Sequence, residues 1–209
     1  PYNVSEIGFG TYRFHKTPEH KAVLKKALLA GINLIDTSSN YSNGDSETAI
    51  GEVLSPLLYD EDIKRDDICI VSKAGYLQGD TYTKHAKKHP ETLHLDTQLA
   101  HCIHPQFLET QLTQSLERMQ LDKIDIFLLH NPEYFFDDPE TKKQDIQTQQ
   151  KTYYTRIKNA FIYLESEVKK GRINIYGISS NTFKNTQKQL RFVPGNAVVF
   201  FSQKQLRFC

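Results

Sequence analysis

The sequence has few cysteines, no large excess of charge and no long apolar run. Its three cysteines, Cys69, Cys102 and Cys209, are too few and too scattered for a disulfide framework, so we expect thiols in a reducing compartment. A net charge of +1 gives no basic excess of the kind that nucleic acids attract. No stretch approaches the roughly 20 apolar residues of a membrane span, and the start PYNVSE does not have the pattern of a signal peptide. These absences predict a soluble cytoplasmic protein with no nucleic-acid or membrane partner.

A glycine-rich phosphate-binding motif is also missing. No G-x-G-x-x-G follows a predicted strand, and the nearest approach, GFGTYR, lacks the third glycine and the helix. Apolar runs alternate with segments of helical periodicity, which is the pattern of a parallel sheet with crossover helices. A doubly wound open sheet and a barrel both satisfy this pattern, and the missing motif favours the barrel. We therefore predict an α/β fold of the (β/α)8 barrel class.

Six apolar runs predict strands, at about residues 8–13, 32–36, 68–73, 124–129, 173–178 and 197–201. Helical spacing of apolar residues predicts four helices, which begin near Thr17, Ser46, Pro105 and Tyr154. Two long connections, 74–104 and 131 to about 150, each join a strand to a helix. Loops of this length in a compact domain are usually functional or disordered. Because both lie on the side where the strands end, we expect them to form walls of a substrate pocket.

Polar residues end four of the predicted strands, where an apolar residue would be the ordinary choice. The strand NLID ends at Asp36, CIVSK at Lys73, DIFLLH at His130 and YGISS at Ser180. In a barrel of parallel strands these ends meet at one face, where the active sites of strand-helix barrels lie. Tyr41 lies five residues after Asp36 in IDTSSNY and adds a phenol to the group. The sequence therefore predicts an enzyme.

The predicted group suits the reduction of a carbonyl. Tyrosine has an ordinary pKa of about 10 and donates a proton sluggishly at neutral pH unless a nearby charge stabilises its phenolate. Lys73 is a candidate for that charge, Asp36 would hold the ammonium in place, and His130 would donate a hydrogen bond to the carbonyl oxygen. Tyr41 would deliver a proton to this oxygen as a hydride reaches the carbon. The chain has no hydride source of its own, so the mechanism requires a nicotinamide cofactor.

Five segments of the chain resemble the aldo-keto reductases in order and spacing. They are GFGTYRF, AGINLIDTSSNYSNGDSETAIGEVL, ICIVSKAG, SLERMQLDKIDIFLLHNPE and KKGRINIYGISSN, and the similarity runs from about residue 5 to 183. Members of this family are strand-helix barrels that interconvert carbonyls and alcohols. The resemblance implies an oxidoreductase that uses NADP(H) or NAD(H) and acts on a small aldehyde, ketone or sugar carbonyl.

The resemblance also implies roles for individual residues. It implies a catalytic tetrad, whose members are Asp36, Tyr41, Lys73 and His130. Tyr41 is the general acid or base of this tetrad. It further implies a group at the nicotinamide, which comprises Gly10, Thr11, Asp36, Ser179 and Ser180. Gly10 and Thr11 match a turn beside the nicotinamide ring, and Ser179 and Ser180 match the residues that hold its carboxamide.

The C-terminal part of the chain departs from the family. A complete barrel has eight strands and about 250 residues, whereas this chain has 209 residues and six strand candidates. We expect one domain over 1–209 that is incomplete at its C-terminal end, with 182–209 atypical and the last strands missing. QKQLRF occurs twice, at 187–192 and 203–208, and no segment matches the family's adenosine-phosphate site. Because an open barrel exposes sheet edges, we expect a longer parent polypeptide or a homo-oligomer.

Two other interpretations follow from these features. The missing phosphate site supports a catalytically silent barrel that acts as a binding or scaffold subunit. Several histidines beside Cys102 invite a metal hypothesis; they are His85, His89, His94, His101 and His104. Zinc sites need about four ligands in a tetrahedral array, and these spacings match no standard pattern, so we expect no metal.

Overall fold

The computed structural model describes residues 2–182 and 198–202, the second range by its backbone alone. Along the chain the strands are β1 (Phe9–Gly10), β2 (Leu34–Asp36), β3 (Cys69–Ala74), β4 (Tyr76–Leu77), β5 (Leu93–Asp96), β6 (Leu99–His101), β7 (Ile124–His130), β8 (Ile173–Ser180) and β9 (Val198–Ser202). The helices are α1 (Pro18–Leu29), α2 (Asp45–Tyr59), α3 (Gly79–His85), α4 (Pro105–Met119), α5 (Pro139–Lys142) and α6 (Ile146–Lys169). Short 3-10 turns lie at Tyr41–Gly44, Arg65–Asp67 and Pro132–Asp137.

Six strands form one parallel sheet in the order β1-β2-β3-β7-β8-β9, which follows the chain. The helices α1, α2, α4 and α6 connect successive strands of this sheet. A doubly wound sheet would reverse its strand order partway across, and this sheet does not. The structure therefore confirms the predicted barrel arrangement and all six predicted strands. The described residues contain six of the eight strands that a (β/α)8 barrel has.

The two faces of the sheet belong to two separate cores. Successive strand residues point to opposite faces, and on the outer face Ile70 and Phe127 pack with helix residues such as Leu24 and Leu112. The inner face carries a second cluster, which comprises Cys69, Val71, Ile126 and Leu128. Burial on both faces explains why these strands are continuous apolar runs in the sequence.

The helices begin where local capping chemistry allows. The Thr17 side chain accepts a hydrogen bond from the His20 backbone N–H at the start of α1, and Gly31 follows the helix with a φ of +94°. The fourth predicted helix, α6, begins at Ile146, eight residues before the predicted start. The Asp145 carboxylate caps it by accepting from two backbone N–H groups. The prediction of a connection reaching to about residue 150 was therefore wrong, because a good cap starts the helix in a polar stretch.

The connection 74–104 contains structure that the sequence did not reveal. The strands β4, β6 and β5 form a three-stranded antiparallel sheet, and α3 lies between β4 and β5. Leu77, Ala100 and Cys102 pack with Phe107 of α4 in a small core of their own. Because these strands have only two to four residues each, their alternation is too short to recognise in the sequence.

Some sequence expectations concern residues outside the described ranges. Both copies of QKQLRF, Cys209 and nearly all of the atypical segment 182–209 lie there. Cys69 and Cys102 are buried free thiols, as predicted. Among the helices of the described ranges, none combines the length and the apolar character that crossing a membrane demands.

Candidate active site

The alternation of side chains along the strands places the polar strand ends on the inner face of the sheet. On β3 the inner residue Val71 is followed two positions later by Lys73, and on β7 Leu128 is followed by His130 in the same way. Asp36 pairs with Val71 in the sheet, and His130 pairs with Ser179. The last inner positions of four adjacent strands are therefore polar, and they are Asp36, Lys73, His130 and Ser179.

Lys73 is a fully buried ammonium held by oxygen atoms. Its Nζ lies 2.7 and 2.9 Å from the two carboxylate oxygens of Asp36 and donates to the Thr37 carbonyl at 2.8 Å. Burial alone would lower the pKa of Lys73, but the Asp36 carboxylate and the Tyr41 phenol together raise it above its ordinary value. The side chain thus carries a fixed positive charge at neutral pH.

Tyr41 lies beside this charge at the start of a 3-10 turn. The turn is tight, with Ser42 and Asn43 both in the left-handed region at φ 50° and 56°. The Lys73 Nζ is 5.2 Å from the centroid of the Tyr41 ring. Burial raises the pKa of Tyr41, and the Lys73 ammonium opposes part of that rise. The phenol therefore keeps its proton at neutral pH and has a cation next to it that stabilises the ionised form.

His130 is a neutral imidazole packed between aromatic rings. Burial lowers its pKa well below the ordinary value, and the charge on Lys73 adds to the effect. Its ring is 6.0 Å from the Tyr41 ring and 4.6 Å from the Tyr76 ring, both edge to face. Its Nδ1 lies 3.1 Å from the Ser38 hydroxyl. The four predicted catalytic residues therefore lie together in one group.

Other residues hold the end of β7 in place and were not identified from the sequence. Buried His101 donates from Nε2 to the His130 carbonyl oxygen at 2.7 Å, and burial lowers the pKa of His101 to about 4. Asn131, with a φ of 49°, donates to the Tyr76 hydroxyl at 2.7 Å. Gly75 leaves room for these contacts, because a Cβ there would lie 2.6 Å from both His101 Nε2 and the His130 oxygen. The antiparallel sheet of β4, β5 and β6 is thus joined directly to the catalytic group.

The residues predicted to contact a nicotinamide lie around the same strand ends but differ in their surroundings. Thr11 donates from its backbone N–H and its hydroxyl to the Asp36 carbonyl oxygen, each at 2.9 Å, and Gly10 pairs with Asp36. Ser179 is buried, and its hydroxyl has no hydrogen-bond partner. Ser180 falls on the opposite face of β8, and its hydroxyl accepts from the Thr182 N–H at 3.2 Å.

Asn131 carries a second buried atom without a partner. Its Oδ1 makes no hydrogen bond, although its Nδ2 is bonded to Tyr76. Asn131 directly follows His130 in LLHNPE, and this proximity to a predicted catalytic residue is the signal that could have identified it. A carboxamide needs both a donor and an acceptor, and the Ser179 hydroxyl and the Asn131 oxygen supply one of each.

The histidines of the connection 74–104 do not form a metal site. Within the ranges 2–182 and 198–202, no three His, Cys, Asp or Glu side chains are grouped so that they could hold a metal ion. His85 and His89 contact each other through ring nitrogens 3.2 Å apart. His104 caps α4 by accepting from the Gln106 backbone N–H.

Comparison with known proteins identifies relatives of the chain. Aldo-keto reductase family 1 member A1 of Mus musculus is 30% identical over 177 residues, which is 83% of this chain and 45% of that protein. Estradiol 17 beta-dehydrogenase 5 of Mus musculus is 31% identical over 128 residues, 60% of this chain and 31% of that protein. The NADH-specific methylglyoxal reductase of Escherichia coli K12 is 27% identical over 139 residues, 61% of this chain and 38% of that protein. The chain thus spans less than half the length of these relatives.

Solved structures show the same fold. A holo aldo-keto reductase of Bacillus halodurans matches with a TM-score of 0.65 at 23% identity, over 96% of this chain and 53% of that one. An aldose reductase of Giardia lamblia matches with a TM-score of 0.64 at 21% identity, over 96% of this chain and 57% of that one. The model of the aldo/keto reductase family matches residues 6–203. The chain therefore belongs to the aldo/keto reductase family.

Proposed function

We propose that the chain carries the catalytic half of an NAD(P)H-dependent oxidoreductase that interconverts a small aldehyde, ketone or sugar carbonyl and its alcohol. The observation that supports this most is the buried Lys73 ammonium between the Asp36 carboxylate and the Tyr41 ring. A fully buried cation is costly unless it has a partner, and a phenol at its side is a group whose acidity that cation can tune.

Tyr41 acts as the general acid in carbonyl reduction and as the base in alcohol oxidation. As the carbonyl oxygen gains negative charge, the Tyr41 phenol transfers its proton to that oxygen and becomes a phenolate. The Lys73 ammonium stabilises the phenolate, and Asp36 keeps the ammonium oriented. Because His130 stays neutral, it adds no second cation that would compete with this arrangement.

The residues present fit a nicotinamide cofactor, which supplies or accepts the hydride when bound. The fit rests on two buried polar atoms without partners, the Ser179 hydroxyl and the Asn131 Oδ1. Unpaired buried polar groups cost free energy, so a ligand that pairs them gains it. A carboxamide would receive a hydrogen bond from Ser179 and donate one to Asn131. Gly10 and Thr11 would border the ring, and Ser180 would act through the backbone of β8.

The substrate would bind against aromatic side chains. The Tyr12 ring, which is 68% exposed, lies 5.2 Å from the Tyr41 ring, edge to face. Tyr76 and Tyr134 lie edge to face at 5.4 Å on the side of His130. Relatives named for methylglyoxal, estradiol and aldose substrates all handle carbonyl compounds or their alcohols, which agrees with a carbonyl substrate. We propose NADP(H) as the cofactor, with NAD(H) as the second choice, and a cytoplasmic location.

Cofactor binding and turnover test this proposal separately. Titration of the chain with NADPH, and then NADH, should change the fluorescence of the reduced nicotinamide and give a saturable curve. Ser179→Ala should weaken binding about fivefold, the worth of one hydrogen bond. Ser180→Ala should weaken it less, because that hydroxyl already bonds to Thr182. Addition of small aldehydes should then oxidise the bound NADPH. Binding without turnover would favour a silent binding subunit, and loss of both would contradict the proposal.

A further inference from the structure

Ser38 lies in a short chain of hydrogen bonds that ends at the His130 ring. The Ser38 hydroxyl is 2.7 Å from Asn40 Oδ1, 3.1 Å from the Lys73 carbonyl oxygen and 3.1 Å from His130 Nδ1. Asn40 continues the chain outward by donating from Nδ2 to Gln78 Oε1 at 3.0 Å. Ser38 is fully buried, so water does not compete for these bonds.

The protons in this chain can be counted. A serine hydroxyl has one proton to donate and two lone pairs to accept with. Two of the three neighbours of Ser38, the Asn40 and Lys73 oxygens, can only accept. If Ser38 gave its proton to His130 Nδ1, both of these oxygens would face its lone pairs without a hydrogen. If Ser38 gives its proton to Asn40, it can accept a second bond from a proton on His130 Nδ1, and two bonds form instead of one.

A second observation supports the same direction. The Lys73 carbonyl oxygen already accepts the Ser39 backbone N–H at 3.0 Å, so the shorter 2.7 Å contact to Asn40 is the better destination for the hydroxyl proton. The Asn40 amide is oriented consistently, because its NH₂ group has a separate acceptor in Gln78.

We propose that Ser38, oriented by Asn40, is a positioning residue that fixes the proton of neutral His130 on Nδ1 and leaves Nε2 as a hydrogen-bond acceptor. This inference rests on the proposed function of the site, and it changes one part of it. With a lone pair on Nε2, His130 accepts a hydrogen bond from a hydroxyl group in the site and does not donate one to the carbonyl oxygen. Tyr41 is then the donor to that oxygen. The substrates favoured are alcohols and hydroxy-carbonyl compounds, whose hydroxyl can donate to Nε2.

Nitrogen NMR of the protein labelled with ¹⁵N-histidine measures the tautomer directly and needs no substrate or cofactor. Protonated and unprotonated ring nitrogens have well separated ¹⁵N shifts, and a His130→Gln sample assigns the signals. We expect a protonated Nδ1 and an unprotonated Nε2 at neutral pH. An unprotonated Nδ1 in the wild-type protein would overturn the proposal, whatever the activity is.

Two variants test whether Ser38 and Asn40 cause the preference. Ser38→Ala should shift the ratio of the two tautomers about fivefold towards Nε2–H, which corresponds to about 1 kcal/mol, the worth of one hydrogen bond. Asn40→Ala, at a half-buried position, should shift it in the same direction and serves if Ser38→Ala does not fold. Ser39→Ala is the matched control, because the Ser39 hydroxyl is buried but has no partner. An unchanged ratio in a folded Ser38→Ala or Asn40→Ala variant would overturn the assignment.

The kinetic readout separates this inference from the proposed function. Ser38→Ala should lower kcat/KM for hydroxy-aldehydes more than for the matched aldehydes without a hydroxyl, by about fivefold, whereas Ser39→Ala should affect both alike. Equal loss for both substrates would contradict the role of Nε2 as an acceptor. A wild-type protein without any turnover would refute the proposed function, and the tautomer measurement would still decide the role of Ser38.

Discussion

Replacing Lys73 with methionine removes the charge that the proposed chemistry depends on and keeps a flexible side chain of similar length. Lys73 has no exposed surface, and its Nζ lies 5.2 Å from the centroid of the Tyr41 ring. At that distance a unit charge stabilises a phenolate by about 3 kcal/mol, with an effective dielectric constant of about 20. Because about 1.4 kcal/mol corresponds to a tenfold change in rate, kcat/KM should fall by on the order of 10²-fold.

The pH dependence gives the sign of the effect. In wild-type protein the Lys73 ammonium opposes the rise that burial causes in the pKa of Tyr41, and the variant loses this opposition while Asp36 stays. The pKa of Tyr41 therefore rises further in Lys73→Met. Alcohol oxidation uses the ionised phenol, so its rate profile should move to higher pH. Steady-state kinetics in both directions between about pH 6 and pH 10 measure the shift.

Stability must be measured in parallel, because breaking a buried ion pair destabilises a protein by about 3 to 5 kcal/mol. The Asp36 side chain is 18% exposed, which places the expected loss at the lower end. Asp125→Asn is the control, since it breaks the 2.7 Å pair with Arg65 at the opposite end of β7. The control should lose stability and keep kcat/KM. A folded Lys73→Met protein with kcat/KM within about threefold of wild type would refute the electrostatic reasoning.

Three further outcomes follow from buried groups near the site. Gly75→Ala should lower stability by about 1 to 3 kcal/mol and reduce turnover, because its Cβ would lie 2.6 Å from His101 Nε2 and the His130 oxygen; thermal melts and kinetics measure both. Glu47→Gln should cost about 2 to 4 kcal/mol in urea unfolding, since the fully buried Glu47 carboxylate accepts two bonds from Arg118 at 2.7 and 2.8 Å. From pH 7 to pH 5 the unfolding free energy should fall by about 2 kcal/mol, because His101, with a pKa of about 4, stays neutral when folded and takes up a proton when unfolded. His101→Gln should remove this part of the pH dependence, and an unchanged dependence would contradict its burial as a neutral group.

The sheet and the catalytic group were predictable because burial on both faces leaves a clear trace in the sequence. Strands buried on two sides are continuous apolar runs, so a polar residue at the end of one is conspicuous, as Asp36, Lys73 and His130 are. The inner-face alternation then brings these residues together without further information. The predicted strands therefore fixed most of the site before any coordinates were considered.

The supporting residues were not predictable because their contacts arise from irregular backbone. Ser38 reaches His130 only through the tight turn that follows it, in which Ser42 and Asn43 take left-handed conformations. Asn131 also has a left-handed φ, and this directs its side chain to Tyr76. Such conformations are uncommon for residues other than glycine, and the sequence gives no periodic signal for them.

The structure also refines the predicted cofactor residues. Ser179 and Ser180 are equivalent in the sequence, but they lie on opposite faces of β8. Only Ser179 shares the inner face with His130, its partner in the sheet, and its hydroxyl is buried and unpaired. The cofactor roles of Gly10, Thr11 and the two serines stay predictions until binding is measured.

The central claim is that the Tyr41 hydroxyl carries the transferred proton, and Tyr41→Phe tests it with the smallest change the chain allows. The ring contacts with Tyr12 and His130 persist in phenylalanine, so folding and nicotinamide binding should stay within about threefold of wild type. Single-turnover oxidation of bound NADPH by an aldehyde should slow by at least about 10²-fold, the lower range for removal of a general acid. A Tyr41→Phe protein that binds NADPH and turns over at the wild-type rate would contradict the account.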